Sequence, residues 1–229
     1  MIGIRLLCVL IGYVFGLFQT AYIYGRLHGI DIRQHGSGNS GTTNMLRTKG
    51  LKAGLITFLG DVIKCVLAVV VVGIIFGQQY PEYIDLLKVY AALGVILGHD
   101  FPCYLGFKGG KGIAATAGFI IAMGPVHIIC GLLVFGFAYG LTKYVSFGSI
   151  MLYIALIIEM VVLGEMSLNG VMLPMGIGYY NLSRNLMIEM YIIIVFLTFL
   201  TIFLHRENIK RLLSGTERKT ELFKKKENN

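Results

Sequence analysis

IAATAGFIIAMGPVHIICGLLVFGFAYGLT, running from Ile113 to Thr142, is the stretch on which the architecture turns. As one helix it is a single long, tilted crossing of a bilayer; as two helices reversing at Gly124-Pro125 it crosses twice. To either side lie further apolar runs, at about Ile2–Tyr24, 53–77, 86–105, 147–164 and 186–204. The first would reach roughly 34 Å at 1.5 Å per residue, enough for a hydrocarbon core of about 30 Å. It reads as a span rather than a leader, because hydrophobic segments continue to the end of the chain. Of 229 residues 56% are apolar and 14% charged, and the mean hydropathy is +0.75, which excludes an ordinary water-soluble domain.

Charge decides between one crossing and two. Arg26, Arg33, Arg47, Lys49 and Lys52 lie in the first inter-span loop, and eight Lys/Arg residues follow the last span, from Arg206 to Lys226. The positive-inside rule places both on the cytoplasmic side, so the number of crossings is odd. Splitting 113–142 gives seven spans, with the N-terminus outside and the C-terminus cytoplasmic. Lys108, Lys111 and Lys143 then also fall inside, while Lys88 and Arg184 occupy outside loops. The expected fold is an all-α integral membrane protein of about seven transmembrane helices, one polytopic domain over 1–229 with a basic cytoplasmic tail at 205–229. The net charge of +8 could in principle serve nucleic acid, but its placement between and after apolar runs argues for membrane topology and no nucleic-acid partner. Cys8, Cys65, Cys103 and Cys130 form no C-x-x-C pair and read as small packing residues, with neither a disulfide framework nor a metal site.

Three polar stretches interrupt the pattern, and all three land on the cytoplasmic face of the seven-span arrangement. His35 to Arg47 is rich in glycine, hydroxyls and amides; a flexible linker would be more monotonous, so it reads as a binding loop. Gly98 to Gly112 ends in Gly106-Phe-Lys-Gly-Gly-Lys-Gly112 before the helix-like Ile113-Ala-Ala-Thr116. Backbone N–H groups, two ammonium groups and a helix dipole are expected to converge there on a phosphate. It is not a Walker A loop, because Leu105 and Gly112 stand where that motif needs Gly and Ser/Thr. The third stretch, His205 to Glu217, puts His205 and Asn208 three apart on one helix face; pocket lining and a basic amphipathic tail on anionic lipid fit it equally. Lys224-Lys225-Lys226 reads as lipid contact only.

Four lesser features carry alternatives. Asp61 and Lys64, three apart in an apolar run, form either a structural ion pair or a wall of the site. Ser146 and Ser149 either supply hydroxyl donors or cap a helix. Glu159 has no partner named by the sequence, and His127 reads as interfacial. A site of cationic and amide donors among lipid-exposed helices suits a ligand anionic at one end and greasy at the other. The chain has no H-x-x-x-x-D box, no aspartate-rich metal motif and no G-x-S-x-G elbow, so an enzyme here works without an obvious base, metal or nucleophile.

Ser37-Gly-Asn-Ser-Gly-Thr-Thr-Asn44 with Arg47, then Gly98-His-Asp-Phe-Pro102 to Gly106-Phe-Lys-Gly-Gly-Lys-Gly112, then His205-Arg-Glu-Asn208 to Gly215-Thr-Glu217, together resemble the three motifs of the bacterial acyl-phosphate:glycerol-3-phosphate acyltransferases, the PlsY family. The resemblance covers almost the whole chain in order, departing mildly at Asp100, Thr42 and a longer segment at about 165–185. It implies transfer of an acyl group from acyl-phosphate to the 1-position of glycerol 3-phosphate, giving lysophosphatidate and phosphate at the cell membrane. No cofactor or metal is implied; the partners are the two substrates and membrane lipids. The resemblance assigns catalysis to Ser37, Arg47, Lys111, His205 and Asn208. It assigns substrate binding to Asn39, Thr43, Asn44, Lys108, Gly109, Gly110 and Gly112, with Ser146 and Ser149 as further lining. The substrate's own phosphate as proton acceptor is favoured over His205 as general base. The alternative from another class is a lipid-phosphate binder or transporter that breaks no bond.

Overall fold

The computed structural model describes residues 1–171 and 180–220, so Lys224–Lys226 and the centre of the 165–185 segment lie outside the described residues. Among the described residues every regular element is helical. The α-helices in order are α1 Ile2–Gly16, α2 Thr20–Leu27, α3 Thr42–Lys49, α4 Leu51–Phe76, α5 Ile84–Asp100, α6 Ile113–Met123, α7 Pro125–Thr142, α8 Val145–Leu168, α9 Arg184–Leu204 and α10 Arg206–Leu213, with short 3-10 turns at Ile32–Gln34 and Cys103–Leu105. Five candidate spans are long and apolar enough to cross a membrane: the Ile2–Leu27 pair, α4, α7, α8 and α9. The other two expected spans coincide with α5 and α6, which have only 17 and 11 residues. The 113–142 run does divide at Gly124, whose φ of +115° lies outside the range that L side chains adopt readily, and Pro125 opens α7 where a missing N–H costs nothing.

The first apolar run, expected as one helix, is broken at residues 17–19. Breaking a helix leaves carbonyls unpaired, and here they are taken up by side chains. Lys64 Nζ lies 2.8 Å from Phe18 O and 3.4 Å from Gly16 O, and Gln19 Nε2 bonds Gly16 O, Gly98 O and His99 O. A polar spacing in α4 thus determines where α1 ends, which hydropathy alone does not register.

α1 lies along α5 with backbones in contact. A Cβ added at Gly12 would come within 2.0 Å of Ala91 O, and one at Gly94 within 2.1 Å of Val9 O; Gly16 and Gly98 are similarly tight. Small residues are what allow such proximity where lipid supplies no hydrophobic driving force. The core between α4, α5, α6, α8 and α9 is filled by residues such as Leu86, Phe119, Tyr153, Met187 and Leu197. By contrast Leu132, Leu133, Phe137 and Leu141 of α7 are each at least two-thirds exposed, a face that water would not tolerate but acyl chains do.

Two minor expectations change. His127 is buried rather than interfacial: its Nε2 meets the Tyr180 hydroxyl at 2.8 Å, and its Nδ1 lies 3.1 Å from Glu159 Oε1, close but without hydrogen-bond alignment. Cys8 and Cys65 are buried packing residues, whereas Cys103 is exposed on the loop after α5.

The α1–α5 contact yields a test. Gly94→Leu forces the two backbones apart and should cost at least about 1–3 kcal/mol, read as a lower melting temperature of the purified protein in detergent. An unchanged melting temperature would contradict the close contact.

Candidate functional site

The first polar loop is wound around one side chain. Asn44, at the start of α3 and 2% exposed, accepts from Ser37 N at 2.9 Å through its Oδ1. Its Nδ2 faces Ile32 O, His35 O and Asn39 O at 3.2, 2.9 and 2.9 Å. The loop closes this tightly because Gly36 has φ +62° and a Cβ there would lie 2.2 Å from Asn44 Oδ1. Asn44 is therefore a spool for the loop, its amide engaged internally while the residue also lines the cavity described next. Ser37, Asn39, Thr43 and Arg47 are presented by the loop and α3 to a cavity of about 850 Å³.

The glycine-rich loop also differs from expectation. Gly109 N donates to Asp100 O at 3.1 Å and Gly110 N to His99 O at 3.0 Å, so these amides do not form a backbone cradle for an anion. Gly109 lines the cavity, and its carbonyl accepts from Asn39 Nδ2 and Ser40 N, both at 3.3 Å, which ties the first loop to the second. Gly110 and Gly112 do not line the cavity. Glycine is needed there for fit: Cβ atoms at 109 and 110 would fall 2.0 Å from His99 O and 1.9 Å from His99 Nε2, and Gly112 caps α6 with φ +75°. The groups of this segment that reach the cavity are Lys108, Lys111 and the N-terminus of α6, whose Ile113 and Ala114 line it.

The third segment arrives from α9 and α10. His205 sits at their junction, and its Nδ1–H donates to Thr201 O at 2.9 Å, leaving Nε2 as an acceptor. Asn208 Oδ1 accepts from Lys111 Nζ while its Nδ2 donates to Glu217 Oε1 at 2.8 Å. Glu217 also accepts from Ser146 Oγ at 3.0 Å and Arg211 Nε at 2.7 Å. Ser146 is thus committed to Glu217, and Ser149 turns back to Val145 O at 2.8 Å; both line the cavity with hydroxyls already engaged. The tail beyond α10 reaches Arg47, whose Nη2 donates to Arg218 O at 2.9 Å and Thr220 Oγ1 at 2.5 Å.

Burial controls the charges. It lowers Lys111, with Arg211 adding to the effect, to about 8. It lowers His205, with Lys111 adding, to about 4, so the imidazole is neutral at pH 7. Burial also lowers the Arg47 guanidinium, which stays charged. For Glu217 burial acts upward, but the bonds from Asn208, Arg211 and Ser146 outweigh it and hold the carboxyl below its ordinary value. On the cavity wall the cationic end grades into Leu51, Leu55 and Phe58 of α4 and Phe135 of α7. The space suits a ligand with an anionic head and an apolar tail.

All the expected site residues except Gly110 and Gly112 therefore line one cavity. Asp61 lines it too while paired with Lys64 at 2.8 Å, so the two alternatives for that pair coexist. Arg206, Arg211 and Arg218 are lining residues that sequence reasoning did not single out; their basic, tail-like surroundings gave no signal.

The family model for glycerol-3-phosphate acyltransferase matches residues 6–215. Glycerol-3-phosphate acyltransferase of Clostridioides difficile is 40% identical over 216 residues, 93% of this chain and 94% of its own. That of Bacillus subtilis is 32% identical over 217 residues, 93% of this chain and 96% of its own. Among solved structures, the glycerol 3-phosphate form of PlsY, described as an integral membrane glycerol 3-phosphate acyltransferase, superposes with a TM-score of 0.76 at 28% identity, covering 95% of this chain and 96% of that one. Its lysophosphatidic acid form superposes with a TM-score of 0.74 over the same shares.

The spool role of Asn44 is testable. Asn44→Ala strands the Ser37 N–H and its carbonyl partners at about 1–3 kcal/mol for each buried group. Asn44→Asp keeps the acceptor for Ser37 but turns a carboxylate toward three carbonyls. Both should lower the melting temperature and expose the 35–41 loop to protease; a loop that resists protease in both would remove the role.

Proposed function

Since the chain belongs to the glycerol-3-phosphate acyltransferase family, we propose that the cavity is where it acylates the 1-hydroxyl of glycerol 3-phosphate, with acyl-phosphate as donor and lysophosphatidate and phosphate as products. One observation carries the reading: three segments far apart in sequence bring Ser37, Arg47, Lys108, Lys111, His205 and Asn208 to one cavity with an apolar side.

An acyl-phosphate is a mixed anhydride, already activated, so no enzyme nucleophile is required. The work left is to hold two anionic substrates in contact and to stabilise the oxyanion and the departing phosphate. We assign that work to Arg47, Lys108, Lys111 and the N-terminus of α6, with Ser37 and Asn39 orienting the polar substrates. The glycerol hydroxyl attacks the carbonyl carbon, the tetrahedral oxyanion collapses, and the bond to phosphate breaks. The hydroxyl proton needs an acceptor. His205, lowered to about 4, is a weaker base than a phosphate monoester, whose second pKa is about 6. We therefore give the proton to the substrate's own phosphate and use His205 Nε2 to orient the hydroxyl.

For topology we read α5 and α6 as crossings added to the five longer spans, giving seven, with the N-terminus outside and the cavity toward the cytoplasm. The basic residues of the first loop and the tail support that sidedness.

Purified protein supplied with acyl-phosphate and labelled glycerol 3-phosphate should yield lysophosphatidate, and acyl-CoA in its place should not. Product from acyl-CoA alone would overturn the donor assignment. Arg47→Ala and Lys111→Ala should each lose about 10²–10³ in rate while still inserting into membranes; parental rates in either would take that residue out of the site.

The pH profile follows from the charges. Lys111 is cationic below about 8 and neutral above it, so kcat/KM for glycerol 3-phosphate should fall as pH rises through that value. Lys111→Arg should move this limb upward. A profile in which wild type and Lys111→Arg share the same alkaline limb would rule out Lys111 as its source.

A further inference from the structure

Below the cavity lies a buried polar chain that the reaction as described does not use. Asp61 Oδ1 accepts from Thr20 Oγ1 at 3.0 Å and forms an ion pair with Lys64 Nζ at 2.8 Å. Lys64 Nζ in turn lies 2.9 Å from His99 Nδ1. An ammonium can only donate, so Nδ1 accepts and the ring proton of neutral His99 sits on Nε2. The residue is pinned in place, since its carbonyl accepts from Gly110 N and Gln19 Nε2, each at 3.0 Å.

The free end of this ring lies against Gly110, between the cavity-lining Gly109 and Lys111. His99 lines the cavity together with Lys108, Gly109 and Lys111, although it is only 2% exposed. Among the described residues Nε2 makes no hydrogen bond, and the position that a side chain at 110 would occupy is 1.9 Å from it. Glycine at 110 leaves that nitrogen uncovered where any other residue would mask it. A histidine needed only to hold Lys64 would use Nδ1 alone, a task that an asparagine could perform.

We propose that His99 Nε2–H is a further hydrogen-bond donor to a substrate phosphate in this cavity, with Lys64 and Asp61 as positioning residues that fix its tautomer. The proposal rests on the acyl-transfer reading of the cavity. The ligand chemistry is a phosphate oxygen, which either substrate can supply. Lys64 also balances the Asp61 carboxylate, which would otherwise repel an anion at the same wall.

Two amide variants separate the ends of the ring, because asparagine mimics Nδ1 and glutamine mimics Nε2. His99→Asn keeps the partner for Lys64 and loses the cavity-side donor, so it should raise KM for one phosphate substrate about tenfold or more. His99→Gln keeps a donor near Nε2 and should raise it less. Measuring KM for glycerol 3-phosphate and for acyl-phosphate separately tells which phosphate is bound. No rise in either variant, or a rise in His99→Gln as large as in His99→Asn, overturns the proposal.

A measurement on wild-type protein does not depend on the variants folding. His28, His35 and His205 engage carbonyls through Nδ1, so a neutral ring protonated on Nε2 is confined to His99 and His127, and His127 does not line the cavity. In 15N-histidine-labelled protein the Nε2–H resonance of that tautomer should move on addition of inorganic phosphate; an unmoved resonance overturns the proposal. If wild type makes no lysophosphatidate, the acyl-transfer reading fails by itself, and the phosphate titration still decides the fate of His99.

Discussion

An ammonium group buried inside a helical bundle sets the terms for the rest of the molecule. Lys64 is 4% exposed, and a charge so placed is tolerable only if everything around it is arranged to pair with it. Asp61 supplies the counter-charge, one turn away on α4. Its donors find the carbonyls of Gly16 and Phe18, which are free only because α1 stops there. His99 on α5 completes the shell. One side chain therefore ties the α1–α2 break, α4 and α5 together, and the glycine-rich loop hangs from the last turn of α5 through the His99 and Asp100 carbonyls. Removing one partner of such a buried pair typically costs about 3–5 kcal/mol, which makes the cavity floor rigid.

Rigidity of this kind is what the proposed chemistry asks for. With the leaving group already activated, the rate depends on donors that are in place before the substrates arrive. The walls are cross-tied accordingly. Asn39 and Ser40 bond Gly109 O, Lys111 bonds Asn208, and Glu217 gathers Ser146, Asn208 and Arg211. The ties to Gly109 O, from Lys111 to Asn208 and from Ser146 to Glu217 join segments distant in the chain, so no single segment forms the site alone.

Much of this could be read from residues, and the misreadings share a cause. The Gly124-Pro125 division, the apolar runs and the three polar stretches were legible because composition and spacing carry them. The break at residues 17–19 was not, since its determinant is a lysine in another helix. Asn44 looked like a ligand donor and is also a spool; Gly109 and Gly110 looked like free amides, and both donate to the chain's own carbonyls. A sequence shows which groups are available to bond, but not which of them folding has already used. The glycines have a further reason that composition does not show: they admit His99 and the loop backbone at close range. The cations of the tail, Arg206, Arg211 and Arg218, were hidden by the opposite effect, because a basic stretch after a membrane helix has a ready topological explanation.

Those tail cations complete the charge balance. Six cationic side chains line the cavity, Arg47, Lys108, Lys111, Arg206, Arg211 and Arg218, against the three carboxylates Asp61, Glu207 and Glu217. Asp61 is neutralised by Lys64 from behind the wall, and His205, lowered to about 4, adds no charge at pH 7. Glu207 is paired with Lys210, outside the lining, at 3.2 Å, so the net charge facing the space is four to five positive. Two phosphate groups carry about −3 to −4 between them at that pH. A cavity matched to one phosphate would be left with a surplus of positive charge in a partly apolar setting, whereas two phosphates bring it close to neutral. The electrostatics thus favour simultaneous occupancy by both substrates, and product formation keeps the balance, since the phosphate released and the phosphate of lysophosphatidate both remain until one departs. Departure of either restores a positive cavity, which draws in the next anion.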